Sequence, residues 1–114
     1  MVVDVTARRR EHVALLESEL PRLAEQLRAM GASLILSFGS YARGRRDLFT
    51  DLDIIAVMES DEPFGQRLGR VYSELRPKVD ADILVYTPSE FKEIQQRAFF
   101  RHALKDAQVL YERP

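Results

Sequence analysis

Asp51-Leu52-Asp53 runs straight into Ile54-Ile55-Ala56-Val57, and Asp80-Ala81-Asp82 runs straight into Ile83-Leu84-Val85. In an extended strand residues i and i+2 share a face, so each pair stands its carboxylates side by side, about 7 Å apart at the Cα atoms. Aspartate is disfavoured inside strands and like charges repel, so such pairs need compensation. If the two strands are neighbours, about 4.8 Å apart, a carboxylate of the second joins Asp51 and Asp53 in one acidic cluster. A hard divalent cation would relieve the repulsion, and Mg²⁺ commonly binds one or two carboxylates together with substrate phosphates. The bland counterpart is a turn at Thr50-Asp51, with Asp53 at a strand edge on the surface.

A third feature precedes both pairs. The apolar run Ser33–Phe38 ends in Gly39-Ser40-Tyr41-Ala42-Arg43-Gly44. A glycine-serine turn after a buried strand frees backbone N–H groups and a hydroxyl, and a phosphate would fit there. An ordinary strand-to-helix turn has the same composition. Arg45 and Arg46 follow, either as charge balance for that phosphate or as a solvated loop. The chain has no Cys, which removes disulfides, thiolate nucleophiles and thiolate metal sites. Its two histidines, His12 and His102, are expected on solvated helix faces.

The elements that would carry these groups are legible. Val13, Leu16, Leu20, Leu23, Leu27 and Met30 keep one helical face, with Thr6 as the expected N-cap and Gly31 as the stop. Pro21 interrupts that helix, which predicts either a kink or two abutting helices with Ser18 capping the second. Strands are expected over Ser33–Phe38, Leu52–Met58 and Ala81–Tyr86, with a last short edge strand at Val109-Leu110-Tyr111. A second amphipathic helix is expected over Glu62–Arg76, opened by Pro63 near N1. Thr87-Pro88-Ser89-Glu90 reads as a capping box that starts a third helix running to about Leu104. Phe91, Phe99 and Phe100 on that helix read first as core. The expected architecture is α+β, a small mixed β-sheet with helices packed mainly on one face.

Composition bounds the rest. With 114 residues, one domain over 1–114 is expected. The apolar run around Leu52–Met58 is far short of the roughly 20 residues that cross a bilayer, and Arg8-Arg9-Arg10 follow the first apolar residues where a leader would place them before. A cytoplasmic protein without membrane contact is therefore expected. Seventeen Lys+Arg against 18 Asp+Glu argue against a surface that grips DNA directly.

Taken in order, Gly39-Ser40-Tyr41-Ala42-Arg43-Gly44, Thr50-Asp51-Leu52-Asp53-Ile54-Ile55 and Asp82-Ile83-Leu84-Val85 resemble the signature of the DNA polymerase beta-like nucleotidyltransferase superfamily. The form is most similar to its minimal nucleotidyltransferase group, and the resemblance covers essentially the whole chain, weakest in the first helix. It implies the polymerase beta-like nucleotidyltransferase fold. It also implies that Gly39 and Ser40 hold the terminal phosphates of a nucleoside triphosphate and that Arg43 helps neutralise them. Asp51, Asp53 and Asp82 would be the catalytic carboxylates and the ligands of two Mg²⁺ ions. Thr50 departs from the usual serine but keeps a hydroxyl. Asp80 shares the face of Asp82; Asp82 is preferred because the family's third carboxylate directly precedes the apolar run.

The implied activity is transfer of a nucleoside monophosphate, AMP from ATP, to an acceptor. The sequence shows no further module for recognising one, which points to a protein partner. Members of this group are associated with HEPN-domain toxins, so a HEPN-type protein is the expected partner, and a homodimer is a further expectation. Two alternatives stand beside this reading: a non-catalytic antitoxin that acts by contact, and a small-molecule, aminoglycoside-type nucleotidyltransferase.

Overall fold

The computed structural model describes residues 4–114. Helix α1 (Val5–Ala29) leads into strand β1 (Leu34–Phe38) and a one-turn helix α2 (Gly39–Ala42). Strand β2 (Leu52–Val57), helix α3 (Phe64–Leu75) and strand β3 (Ala81–Tyr86) follow. Helices α4 (Pro88–Ile94) and α5 (Ala98–Ala103) and strand β4 (Gln108–Glu112) complete the chain. The strands form one sheet in the order β3-β2-β1-β4. β1 is antiparallel to both β2 and β4, whereas β2 and β3 are parallel, so the sheet is mixed and the fold is α+β.

Strand alternation divides the core between the two faces. Ile35, Ile54, Ala56, Ile83 and Val85 turn toward α1 and α3 and meet Leu16, Leu23, Leu27, Val71 and Leu75. Each of the Leu, Ile and Val side chains among these contributes roughly 1.5–3 kcal/mol by leaving water. Leu36, Ile55, Val57 and Tyr86 turn the other way and pack with Phe91, with Phe100 and Leu104 partly buried beside them. The larger cluster, under α1 and α3, is the face on which the helices were expected to pack.

Several boundaries differ from expectation for identifiable reasons. Asp4, and not Thr6, caps α1, its Oδ1 accepting from the Ala7 N–H at 3.0 Å. The helix runs unbroken through Pro21, since Leu20 and Leu23 on either side are both held in the core. The Ser18 hydroxyl donates to the Leu15 carbonyl at 3.1 Å instead of capping a second helix. Pro63 is the N-cap of α3, and Arg76 ends that helix in the left-handed region at φ 44°. The third helix divides at Gln95–Arg97 although no glycine or proline stands there. In one straight helix Phe91 and Phe100, nine residues apart, would point about 180° from each other. The break lets both rings reach Tyr86, at 6.5 and 6.3 Å between centroids. Phe99 does not join them in the core: it is 74% exposed.

Candidate functional site

The antiparallel register of β1 and β2 sets Phe38 opposite Asp53. At the next residue the chain turns through Gly39, whose φ is +76°. A Cβ there would collide with Oδ2 and Cγ of Asp53, so the Asp53 carboxylate fills the space a side chain at position 39 would take. Gly39 is thus required twice, by its backbone conformation and by its neighbour. No side chain caps α2, whose first N–H groups follow directly. The parallel register of β2 and β3 places Asp53 opposite Asp82, about 4.8 Å away across the ladder. Asp51 is exposed immediately before β2, on the side of Asp53 by alternation.

The half-buried Asp53 feels this crowding. Burial first, then the Asp82 and Asp51 carboxylates, push its carboxyl above the ordinary aspartate range, and Arg43 alone opposes them. Asp80 is not among the charges acting on it. Asp80 is exposed, and its carbonyl extends the ladder by accepting from the Leu52 N–H at 3.2 Å. Among the described residues no ion pair involves Asp51, Asp53 or Asp82. Three carboxylates facing one another without a partner form a donor set suited to a hard cation. Among the described residues, however, no three such groups are gathered closely enough to hold an ion by themselves. The residues therefore fit Mg²⁺ held by Asp53 and one neighbour, with substrate oxygens completing the shell.

The loop between Gly44 and Asp51 is tied down by its own polar groups and by α1. Thr50 is buried; its Oγ1 accepts from the Asp47 N–H and donates to Asp47 Oδ1 at 3.0 and 3.1 Å. Asp47 also accepts from the Phe49 N–H at 2.8 Å and from the Arg45 guanidinium. From α1, Arg9 Nε donates to the Arg46 carbonyl at 2.9 Å. One helical turn on, His12 Nε2 lies 2.9 Å from the Thr50 carbonyl, the peptide just before Asp51. A carbonyl accepts, so His12 carries its proton on Nε2.

His12 is thus half-buried and engaged, whereas a solvated face was expected; His102 is exposed as expected. The sequence signal for His12 was faint: its position one residue before Val13, at the margin of the apolar stripe. Arg45 and Arg46 are not free for phosphate either. Arg45 pairs with Asp47, and Arg46 lies over the Tyr41 ring at 3.5 Å and donates to the Tyr41 carbonyl. Arg43 remains, exposed and close enough to act on Asp53, with Ser40 half-buried on α2 beside it.

No family model matches the chain, and no curated protein matches it. A solved structure does, described as "a putative nucleotidyltransferase from Sulfolobus solfataricus". The likeness covers 98% of this chain and 91% of that one, with a TM-score of 0.62 and 17% identity. At that identity it establishes a shared fold, consistent with the polymerase beta-like architecture expected from the sequence.

Proposed function

We propose that this chain is a nucleotidyltransferase that moves a nucleoside monophosphate, AMP from ATP, onto an acceptor hydroxyl. The observation that carries the reading is Asp53. Its carboxylate is half-buried, unpaired, seated over Gly39 and opposite Asp82, an arrangement that costs stability unless a cation and its anionic ligand are to be received there. The fold shared with the Sulfolobus solfataricus protein supports it.

In this reading Gly39 and Ser40 receive the terminal phosphates and Arg43 balances their charge. Mg²⁺ would be held by Asp53 with Asp51 or Asp82 and by substrate oxygens, and would supply charge neutralisation along the triphosphate. The acceptor oxygen forms a bond to the α-phosphorus while the bond from that phosphorus to the bridging oxygen breaks. Pyrophosphate leaves with the electron pair, and Asp82 takes the acceptor proton and passes it to solvent. The partner we assign is a HEPN-type protein.

A second reading, contact-only neutralisation of a partner, is favoured by the absence of a closed three-carboxylate cage among the described residues. One experiment separates the two. Protein, Mg²⁺ and α-labelled ATP are incubated in lysate of cells lacking the gene, with Asp53→Asn as control. Label that depends on Asp53 and is sensitive to protease establishes transfer to protein. Absence of label with all four nucleotides supports contact alone.

A further inference from the structure

The even balance of charge over the whole chain conceals a local segregation. Residues 5–14 and 39–50 carry Arg8, Arg9, Arg10, Arg43, Arg45 and Arg46, against the carboxylates of Glu11 and Asp47 alone. The two segments meet in space, through the bonds from Arg9 to the Arg46 carbonyl and from His12 to the Thr50 carbonyl. Beside that junction opens a shallow depression of about 260 Å³, lined by Arg9, Arg10 and Arg46 with Val13 and Ala14. Glu17 is its one carboxylate. Among the described residues none of these three arginines belongs to an ion pair, whereas Arg22, Arg28, Arg45, Arg67 and Arg70 all do. Cations in the first turns of a helix are opposed by its dipole, so Arg8, Arg9 and Arg10 are not there to stabilise α1.

Phe49 is the second observation. At 79% exposure it is the most exposed large apolar residue among those described. Its backbone is nonetheless fixed: its N–H donates to Asp47 Oδ1 at 2.8 Å, and the loop is anchored to α1 at Arg46 and at Thr50 on either side. A ring presented in a fixed place loses little freedom when a ligand stacks on it. Three residues separate it from Arg46, so the two Cα atoms are at most about 11 Å apart. Unpaired guanidinium groups and an exposed ring therefore stand within reach of one short strand.

Phosphates answer the guanidinium groups and a planar base answers the ring, and a nucleotide chain brings both at once. An acidic peptide would supply the charge without the flat face. We infer that the surface built by the start of α1 and the Gly44–Asp51 loop binds single-stranded nucleic acid, with Arg9 and Arg10 on its phosphates and Phe49 stacked on a base. Arg46, held on Tyr41, contributes its field only. This surface needs neither Mg²⁺ nor the aspartates of the candidate site, so the inference stands apart from the transferase reading.

The full chain is titrated, in EDTA and about 50 mM salt, into fluorescein-labelled probes followed by anisotropy. The probes are an RNA strand of about twelve nucleotides and the DNA strand of the same sequence, the same sugar-phosphate chain without bases, an oligoglutamate of equal charge, and AMP. The expected result is binding of a strand, with the abasic chain and the oligoglutamate weaker by about tenfold, the scale of one lost base stack. The first two arms tell RNA from DNA, and either one binding in this way supports the inference. Phe49→Ala should weaken strand binding by about tenfold and leave the abasic chain unchanged. Arg10→Ala should reduce the slope of log affinity against log salt by about 0.7, one phosphate contact on a single strand. Both positions are exposed, so both variants should melt with the unsubstituted chain, which separates lost binding from lost fold. Failure of both strands to bind, an abasic chain or oligoglutamate that binds as tightly, free AMP that displaces the strand at equal concentration, or strand binding indifferent to both substitutions overturns the inference.

Discussion

The half-buried and buried carboxylates of this chain are treated in opposite ways in two regions. In the framework, Glu19 is buried on α1, where the Arg22 guanidinium grips it and the Lys78 N–H donates to its Oε2 at 2.8 Å. Glu90 closes the capping box of α4 and accepts from the buried Arg67, which also donates to the Val85 and Glu62 carbonyls at 2.8 Å. Hydrogen bonds from Arg22 and from Arg67, respectively, are the first cause holding both glutamates below their ordinary range. At the candidate site Asp53 has no such partner and is pushed up, by burial first and by Asp82 and Asp51 next. The fold neutralises charge in the framework and leaves it facing its own kind at the candidate site, where the proposed function has a ligand bring the counter-charge. Breaking each region should therefore fail in a different currency: activity at the site, stability in the framework.

The largest effect is expected from Asp53→Asn. Labelled-nucleotide transfer should fall by about a thousandfold or more, the scale for a lost metal ligand in phosphoryl chemistry. Metal-free melting temperature should stay level or rise, because a crowded charge has been removed. Added Mg²⁺ with a non-hydrolysable nucleotide should raise the melting temperature of the unsubstituted chain but not of this variant. A variant that loses stability along with activity would show that Asp53 is structural and erase the contrast.

Arg67→Met tests the other side. The Glu90 carboxylate is exposed enough to find water, but the Val85 and Glu62 carbonyls lose their donor, and the lost pair should cost about 2 kcal/mol. The expected readout is a melting temperature lower by about 8 °C, with nucleotide transfer at low temperature within twofold of the unsubstituted chain. Arg67 Nε is buried without a partner, so part of the cost is offset, and the loss should stay below that of a fully satisfied buried arginine.

His12 belongs between the regions, since it stands on a framework helix and holds the peptide before Asp51. His12→Ala should lower kcat by about tenfold, the equivalent of one hydrogen bond, while KM for ATP stays unchanged and His12→Gln recovers part of the loss. His102→Ala, at an exposed position, serves as the matched control with no change. An equal fall in kcat and stability would reduce His12 to packing.

Much of this division was legible from residue order. The apolar stripe of α1, the capping box at Thr87–Glu90 and the paired aspartates at strand starts each follow a short-range rule, and each element stands where that rule places it. What escaped was long-range. Asp4 and Thr6 are both good caps, and only the fold chooses between them. The break at Gln95–Arg97 has no local breaker; it answers the demand of Tyr86 for two aromatic partners. His12 and Glu19 gain their roles from Thr50 and Lys78, 38 and 59 residues away. Phe99 could be told from Phe100 only by the direction of a helix that the sequence did not separate.

The smallest effect, and the one in which the two regions oppose each other most directly, is acid stability. Glu19 and Glu90 titrate lower in the folded chain than unfolded, so the unfolded state binds more protons between the two values. Their contribution is complete above the ordinary glutamate value of 4.5 and is lost as pH falls through the lowered folded values. Asp53 has the opposite sign. Its folded value lies above the ordinary 3.8, so its contribution is complete below 3.8 and is lost as pH rises through the raised folded value. Melting temperature measured from pH 3 to pH 7 without metal should therefore fall on the acid side, with Asp53 blunting the fall. In Glu19→Gln the acid fall should flatten, because the chain has already lost that contribution at pH 7. In Asp53→Asn it should steepen, with the pH 7 end raised, because the opposing carboxyl is gone. Parallel curves for the two variants would mean that Asp53 is as well compensated as Glu19, and the site would then have no charge left over for a ligand to neutralise.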